Sequence, residues 1–165
     1  MSNLLVTKAL LGTDEASIDD KGRLLVGKKK RERLGEPFVV ALGEAGCLVA
    51  YPQETWQALL NEIFAVPSIN VGRQQYSRLI LGTADDDLRF DSQGRVVIPH
   101  KLREAAQLKD KVLLIGCGDR LEIWDLESYS EFCRDPEGFG SKRRTAIEQA
   151  YRQMTGGFTN DGHGG

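Results

Sequence analysis

A short turn motif that occurs twice carries the residues best suited to bind a charged ligand. The pattern Asp-x-x-Gly-Arg stands at residues 19–23 and again at residues 91–95. Asp at the first position and Gly at the fourth favour a type I turn, in which the carboxylate can accept hydrogen bonds from backbone N–H groups. The arginine is then held at the start of a strand. It could make a bidentate contact with a phosphate or a guanine edge, or it could simply pair with a carboxylate.

A run of basic residues follows the first of these turns. It comprises Lys28, Lys29, Lys30 and Arg31, and Lys21 lies within the turn itself. Residues 19–33 hold seven basic and three acidic residues, which is the densest basic stretch of the chain. Such a stretch can bind nucleic acid through the phosphates, or it can be a solvated surface. Its position beside a duplicated turn arginine favours nucleic acid.

The sequence gives little support for an enzyme. Its Ser, Cys and His residues do not combine into a nucleophile–base set, and no Walker or dinucleotide-binding pattern is present. Cys47, Cys117 and Cys133 are too widely spaced for a zinc site, and we expect buried or partly buried reduced thiols. The three acidic residues 85–87 lack a full ligand set, so we expect a solvated acidic turn. We therefore predict no enzymatic activity, no cofactor and no metal site.

The overall charge is mildly acidic. The 165 residues carry a formal net charge of -2, which argues against a uniformly basic nucleic-acid coat protein but allows a local basic patch. No apolar stretch approaches the roughly 20 residues of a membrane-spanning helix. The first eleven residues lack the basic start and apolar core of a signal peptide. We therefore expect a cytoplasmic protein with no membrane partner.

The turn motif belongs to a longer internal repeat. Residues 19–26 read Asp-Asp-Lys-Gly-Arg-Leu-Leu-Val and recur at 91–98 as Asp-Ser-Gln-Gly-Arg-Val-Val-Ile, and Arg31-Glu32 matches Arg103-Glu104. Each copy predicts a turn, a short strand, a short helical segment, two strands around a Gly-rich turn, and a closing helix. A copy of about 45 residues is too small to bury an adequate core by itself. We therefore expect the two copies to interlock into one β-barrel-like core.

The closing helices and the C-terminal segment complete this outline. The first closing helix would start at Pro52, and Asp125 would cap the second. The inward face of the first would be formed by Trp56, Leu59, Leu60, Ile63 and Phe64. We predict a first repeat at 10–65, a connection at 65–72 and a second repeat at 73–134. Residues 136–165 would hold a helix over 141–154, with Ala146, Ile147, Ala150, Tyr151 and Met154 on one face, and a disordered Gly-rich tail.

The doubled turn and the segments 46–52, 94–99 and 121–124 resemble the MraZ family, and the resemblance covers roughly residues 10–133. It implies an α+β fold of two tandem AbrB-like swapped-hairpin repeats, which here would form one β-barrel core with flanking short helices and the C-terminal helix. It also implies a ring-shaped homo-oligomer in the cytoplasm, associated with the nucleoid. Such a protein would regulate transcription by binding short repeats of double-stranded DNA upstream of the division and cell-wall gene cluster. The family's DNA-contacting arginine corresponds to Arg23, and its second-copy counterpart is Arg95.

The resemblance and the charge pattern together give a predicted site. The predicted DNA-binding residues are Arg23, Lys21, Lys28, Lys29, Lys30, Arg31 and Arg95. The predicted turn-structural residues are Asp19, Gly22, Asp91 and Gly94. The chain after residue 135 has no counterpart in the family pattern, and it could modulate assembly or add a DNA contact.

Two positions of the first copy depart from the family pattern. Gly27 stands where proline is usual, and Lys30 stands where a large apolar residue is usual, as Leu102 does in the second copy. A buried lysine without a partner is costly. Either the first short helix has swung out, or Lys30 has turned to solvent and DNA. The same departures motivate an alternative function, an oligomeric protein-interaction module that keeps the fold without reading DNA.

Overall fold

The two sequence copies form the same succession of elements. The computed structural model describes residues 9–136 and 141–156, with side chains described from 146 onward in the second range. The first copy forms β1 (Thr13–Ser17), β2 (Arg23–Leu25), α1 (Lys28–Leu34), β3 (Phe38–Leu42), β4 (Leu48–Tyr51) and α2 (Gln53–Ala65). A connection follows, in which α3 (Val71–Tyr76) runs into a π-helical turn (Ser77–Leu81). The second copy forms β5 (Asp85–Leu88), β6 (Arg95–Val97), α4 (His100–Ala105), β7 (Lys111–Gly116), β8 (Leu121–Asp125) and α5 (Leu126–Arg134), and α6 (Ser141–Thr155) comes last.

The strands of each copy pair with strands of the other, so the copies interlock. Six strands form one antiparallel sheet in the order β1-β7-β8-β4-β3-β5, and β2 pairs with β6 in a separate two-stranded ribbon. In the described ranges this sheet is open, with β1 and β5 at its edges, and the expected barrel is not closed. The physical reason is that β2 and β6 pair with each other along their length, whereas β2 meets the edge strand β1 through a short bridge between Leu24 and Ile18, the residue after β1. The fold is therefore α+β, as predicted, around an open sheet.

The core lies along the centre of this sheet. Every residue of β3 and β4 is buried, as expected of continuous apolar strands covered on both faces. Helix α2 begins after Pro52, as predicted, and buries Trp56 and Ile63. Phe64 does not face inward as expected: its ring is exposed, and the Arg73 guanidinium carbon lies 5.6 Å from the ring centroid. Asp125 caps α5, as predicted, by accepting a hydrogen bond from the Ser128 N–H at 3.2 Å.

The connection between the copies holds a helix that the sequence analysis missed. The Asn70 side chain caps α3 by accepting a hydrogen bond from the Arg73 N–H at 2.9 Å. Helix α3 packs against α6 at Gly72, where a Cβ atom would overlap the backbone of Gln153 and Met154. The predicted C-terminal helix is confirmed, and it buries Ile147, Ala150 and Met154, whereas Ala146 and Tyr151 are exposed. The tail that was expected to be disordered lies outside the described residues.

Two smaller expectations were wrong. Residues 85–87 lie in β5 and not in a turn, and Asp86 and Asp87 are exposed at a sheet edge, where charged side chains discourage further strand pairing. Only Cys47 is buried, whereas Cys117 and Cys133 are exposed. Of the helices in the described ranges, none is long and apolar enough to cross a membrane.

Candidate nucleic-acid interface

The first Asp-x-x-Gly-Arg motif forms a tight hydrogen-bonded turn. The Gly22 N–H donates to the Asp19 carbonyl at 3.0 Å, and Asp19 Oδ1 accepts from the N–H groups of Lys21 at 3.0 Å and Arg23 at 2.9 Å. Gly22 has φ 78°, a left-handed conformation that glycine adopts without steric cost. Asp19 and Gly22 therefore fix the backbone that leads into β2.

The second motif has the same geometry. The Gly94 N–H donates to the Asp91 carbonyl at 3.0 Å, and Asp91 Oδ1 accepts from the N–H groups of Gln93 and Arg95, both at 2.9 Å. Gly94 also has a left-handed backbone, with φ 80°. The duplication thus preserves the local structure of the turn as well as its sequence.

Each turn aspartate also pairs with the arginine that follows it. Arg23 Nε lies 2.6 Å from Asp19 Oδ2, and Arg95 Nε lies 2.9 Å from Asp91 Oδ2. The arginine side chains remain 30% and 28% exposed. Their Nη groups make no hydrogen bond to a described residue. The local ion pair therefore uses one edge of each guanidinium and leaves its terminal N–H groups available to a ligand.

These contacts change the acidity of the turn aspartates. The Arg23 backbone N–H holds the pKa of Asp19 below its ordinary value of 3.8, and the Arg95 backbone N–H does the same for Asp91. Partial desolvation opposes the effect, and the arginine side chains reinforce it. Both aspartates are therefore ionised whenever the protein is near neutral pH.

Asp19→Asn is expected to lower the free energy of unfolding near neutral pH, and this deficit should shrink in acid. A lowered pKa in the folded state stabilises the fold above pH 3.8, and that contribution is lost as the pH falls through the lowered pKa. Urea unfolding of the wild type and the variant from neutral pH to about pH 2 measures the difference. Asp20→Asn, an exposed position in the same turn, is the control. A deficit that stays constant with pH would contradict the expectation.

The two turns lead into the β2–β6 ribbon, whose outer face carries both arginines. Leu24 and Val96 pair with each other and are buried on the inner face. On the outer face Arg23 lies opposite Val97 and Leu25 lies opposite Arg95, and Leu25 and Val97 are 56% and 54% exposed. The ribbon thus presents two arginines on a diagonal, each beside an exposed apolar residue. A two-stranded ribbon is narrow enough to enter the major groove of DNA.

Of the predicted basic residues, three lie exposed near this ribbon. Lys21 lies in the first turn, and Lys28 and Lys29 lie in the first turn of α1. Lys28 Nζ is 4.0 Å from Glu32 Oε1, but both side chains are largely exposed and the pair is weak. The corresponding second-copy residues are Gln93, His100 and Lys101, so the first-copy end of the ribbon is the more basic.

Lys30 does not belong to this exposed group. Helix α1 forms in spite of Gly27, and Lys30 points into the fold with its side chain only 10% exposed. Its Nζ lies 2.7 Å from Asp14 Oδ2 on β1, and this carboxylate supplies the charge that the sequence analysis did not foresee. Both expectations about this segment are therefore wrong: α1 has not swung out, and Lys30 has not turned to solvent and DNA.

Lys30→Leu is expected to raise the free energy of unfolding by about 1 kcal/mol. Replacing a buried charge with an apolar residue of similar size is often stabilising. Asp14 would remain hydrated, because its side chain is 54% exposed. Urea unfolding checks the change, and Lys29→Leu at the neighbouring exposed position should give no such gain. A loss of stability in Lys30→Leu would show that the Asp14 pair is worth more than its desolvation.

Arg31 is also directed away from the exposed lysines. Its guanidinium lies against Gly94 of the second turn, where a Cβ atom would overlap it, and Nη1 donates to the Val26 carbonyl. Arg103 of the second copy lies in the same way against Gly22, and its Nε donates to the Ile98 carbonyl at 3.0 Å. Arg103 was missed as a site residue, although its match to Arg31 in the repeat was the signal for a shared role.

The chain is thus a duplicated α+β protein in which each copy contributes one strand and one arginine to a two-stranded ribbon. A family model described as "MraZ protein, putative antitoxin-like" matches residues 9–78 and 81–149. The chain belongs to this family. The second match extends beyond residue 135, so the expectation that the family pattern ends there is wrong for residues 136–149.

Several proteins named transcriptional regulator MraZ are similar to this chain. The one from Heliobacterium modesticaldum is 38% identical over 122 residues, which cover 74% of this chain and 85% of that protein. The one from Carboxydothermus hydrogenoformans is 37% identical over 74% of this chain and 85% of its own length. The one from Kineococcus radiotolerans is 34% identical over 83% and 95%. These relatives are named as regulators and not as enzymes, which confirms the prediction of a non-enzymatic protein.

Proposed function

We propose that this chain is a transcription regulator that reads double-stranded DNA with the outer face of the β2–β6 ribbon. The observation that carries the proposal is the pair of partly exposed arginines, Arg23 and Arg95, each oriented by a turn aspartate on a two-stranded ribbon. The names of the relatives support the same function. Base edges are read by side chains held rigidly within a groove, and these turns supply such support.

The other exposed residues complement the two arginines. Lys21, Lys28 and Lys29 would hold phosphates and would set the register of the protein on the duplex. Leu25 and Val97 would contact apolar base edges such as the methyl group of thymine. Because Lys30 is buried against Asp14 and the Arg31 guanidinium lies against Gly94, the proposed phosphate contacts do not include them. The net charge of -2 is compatible with this arrangement because binding responds to the local potential.

The finer features implied by the family resemblance are also proposals. The exchange of strands between the copies supports an AbrB-like swapped-hairpin architecture. We propose a cytoplasmic, nucleoid-associated, ring-shaped homo-oligomer that binds short promoter repeats of the division and cell-wall gene cluster. A ring would present one ribbon per subunit, and adjacent weak contacts would add through effective concentration.

The test is binding to the DNA upstream of the protein's own gene, measured by fluorescence anisotropy as a function of salt. We expect affinity to fall steeply with salt, because bound lysines and arginines release counterions. Scrambled DNA of equal length is the control for sequence specificity. Light scattering on the same sample measures the oligomeric state. Failure to retain the upstream DNA, together with a stable protein partner, would favour the alternative interaction module.

A further inference from the structure

We infer that Arg31 and Arg103 are positioning residues that act across the duplication. Arg103 of the second copy holds the turn that carries Arg23, and Arg31 of the first copy holds the turn that carries Arg95. The inference rests on the proposed function and adds residues that control the DNA-reading ribbon without touching DNA. Its distinctive feature is the crossing, because each arginine serves the turn of the other copy.

The contacts of Arg103 define the first of the two links. Its Cζ lies 3.0 Å from the position that a Cβ on Gly22 would occupy, so the guanidinium lies directly on the turn backbone. Its Nε donates to the Ile98 carbonyl at 3.0 Å, and the Ile98 N–H in turn donates to the Gly22 carbonyl at 2.9 Å. Arg103 thus ties the first turn to the segment that follows β6.

The contacts of Arg31 repeat this arrangement in the opposite sense. Its guanidinium lies against Gly94, and its Nη1 donates to the Val26 carbonyl. The Val26 N–H donates to the Gly94 carbonyl at 3.2 Å. Arg31 thus ties the second turn to the segment that follows β2. Arg31 and Arg103 occupy corresponding positions of the repeat and make corresponding contacts. The arrangement is therefore a feature of the duplicated fold and does not depend on the rotamer of a single side chain.

The contacts of Arg31 and Arg103 affect the orientation of the DNA-facing arginines, Arg23 and Arg95, through the turn backbone. Asp19 is held by N–H groups of the first turn and in turn orients Arg23 through Nε, so a displaced turn displaces the guanidinium. Arg31 and Arg103 are partly buried and donate to backbone carbonyls. A planar guanidinium can lie flat on a glycine and donate in its own plane, and a lysine ammonium cannot do both.

Double-mutant cycles on DNA affinity test the crossing. Arg103→Met and Arg31→Met keep an apolar stem and remove the hydrogen bonds, and each is combined with Arg23→Ala and with Arg95→Ala. We expect Arg103→Met alone to weaken binding several-fold. It should add almost nothing to Arg23→Ala, because that turn has then lost its DNA contact, but it should act fully on the Arg95→Ala background. Arg31→Met should show the reverse pattern.

Two further readouts separate positioning from direct contact and from general destabilisation. The salt slope of binding should stay unchanged in Arg103→Met, whereas a lost phosphate contact would reduce it by about 1. Amide hydrogen exchange without DNA should rise at Gly22 and Arg23 in Arg103→Met, and at Gly94 and Arg95 in Arg31→Met. Arg103→Lys should not restore affinity, since the charge alone is not what positions the turn. If Arg103→Met does not fold, Arg103→Gln takes its place.

The outcomes distinguish this inference from the proposed function. Three outcomes would overturn the positioning role while leaving DNA binding intact. These are energetic coupling of Arg103 to Arg95, additive effects in all the double-mutant cycles, and a reduced salt slope of binding in Arg103→Met. Unchanged binding by both Arg23→Ala and Arg95→Ala would overturn the proposed function. In that case the hydrogen-exchange measurement still decides whether each arginine holds the opposite turn. Exchange at both turns equal to that of the wild type would overturn this role as well.

Discussion

Replacing Arg23 with alanine is expected to weaken binding to the upstream DNA by about 10- to 100-fold. A good bidentate contact with a base edge is worth about 1–3 kcal/mol, and each 1.4 kcal/mol corresponds to about a factor of ten. The ion pair with Asp19 holds the guanidinium in place before DNA arrives, so little ordering is required on binding. In an oligomer with several ribbons on adjacent repeats, the loss would be multiplied. Titration of labelled upstream DNA at fixed salt measures the effect.

The matched control for this variant is Arg78→Ala. Arg78 is exposed on the π-helical turn, and within the described ranges its side chain donates a hydrogen bond to Gln75 Oε1 at 3.2 Å, so its removal should leave DNA affinity unchanged. Urea unfolding should show little loss for Arg23→Ala, because a partly exposed ion pair contributes little. Equal DNA affinity of Arg23→Ala and the wild type would remove Arg23 from the interface.

Gly72→Ala is expected to lower the free energy of unfolding by about 2 kcal/mol, in the range of overpacked sites. A Cβ atom at this position would overlap the backbone of Gln153 and Met154, which cannot rotate away as a side chain could. Helices α3 and α6 would have to separate, and the buried side chains of Ile147 and Ala150 would lose contacts. Helix propensity alone predicts a gain of about 1 kcal/mol, so the sign of the change decides between the two effects. Urea unfolding and limited proteolysis of α6 measure the result.

Gly27→Ala is the control for that substitution. Gly27 precedes α1, its φ of -60° suits alanine, and a Cβ there would meet nothing within 4 Å. The free energy of unfolding of Gly27→Ala should therefore rise slightly, by about 0.4–1 kcal/mol, because alanine restricts the unfolded chain. Equal stabilities of Gly72→Ala and Gly27→Ala would show that α3 and α6 do not approach closely in solution.

Local features of the fold were largely predictable from the sequence. The Asp-x-x-Gly-Arg pattern predicted both turns because its residues satisfy one another within five positions. Pro52 and Asp125 marked the starts of α2 and α5 for similarly local reasons. Helix α3 was missed although Asn70 is a good N-cap residue, because only six residues follow before the helix changes to π geometry.

The non-local parts of the site could not be predicted in this way. A run of four basic residues predicts one exposed patch, but Lys30 is buried against Asp14 and the Arg31 guanidinium lies against Gly94. Neither partner is near them in sequence. The interlocking itself was predicted from the small size of each copy, but which strand pairs with which depends on the whole sheet. For the same reason the sequence did not reveal that β2 and β6 leave the sheet to form the ribbon.

The pairing of β2 with β6 determines whether the ribbon can distinguish the two orientations of a DNA site. Two identical separate chains joined in this way would present a symmetric ribbon, and a symmetric reader binds a palindrome equally well in both orientations. Here both halves belong to one chain, and they have diverged in sequence. Lys21 of the first copy corresponds to Gln93 of the second, and Lys28 corresponds to His100. The end of the ribbon near the first copy's turn is therefore more basic than the end near the second copy's turn. If the ribbon reads DNA as proposed, it can tell one orientation of an asymmetric site from the other. In the proposed ring, a row of direct repeats would then align successive subunits head to tail.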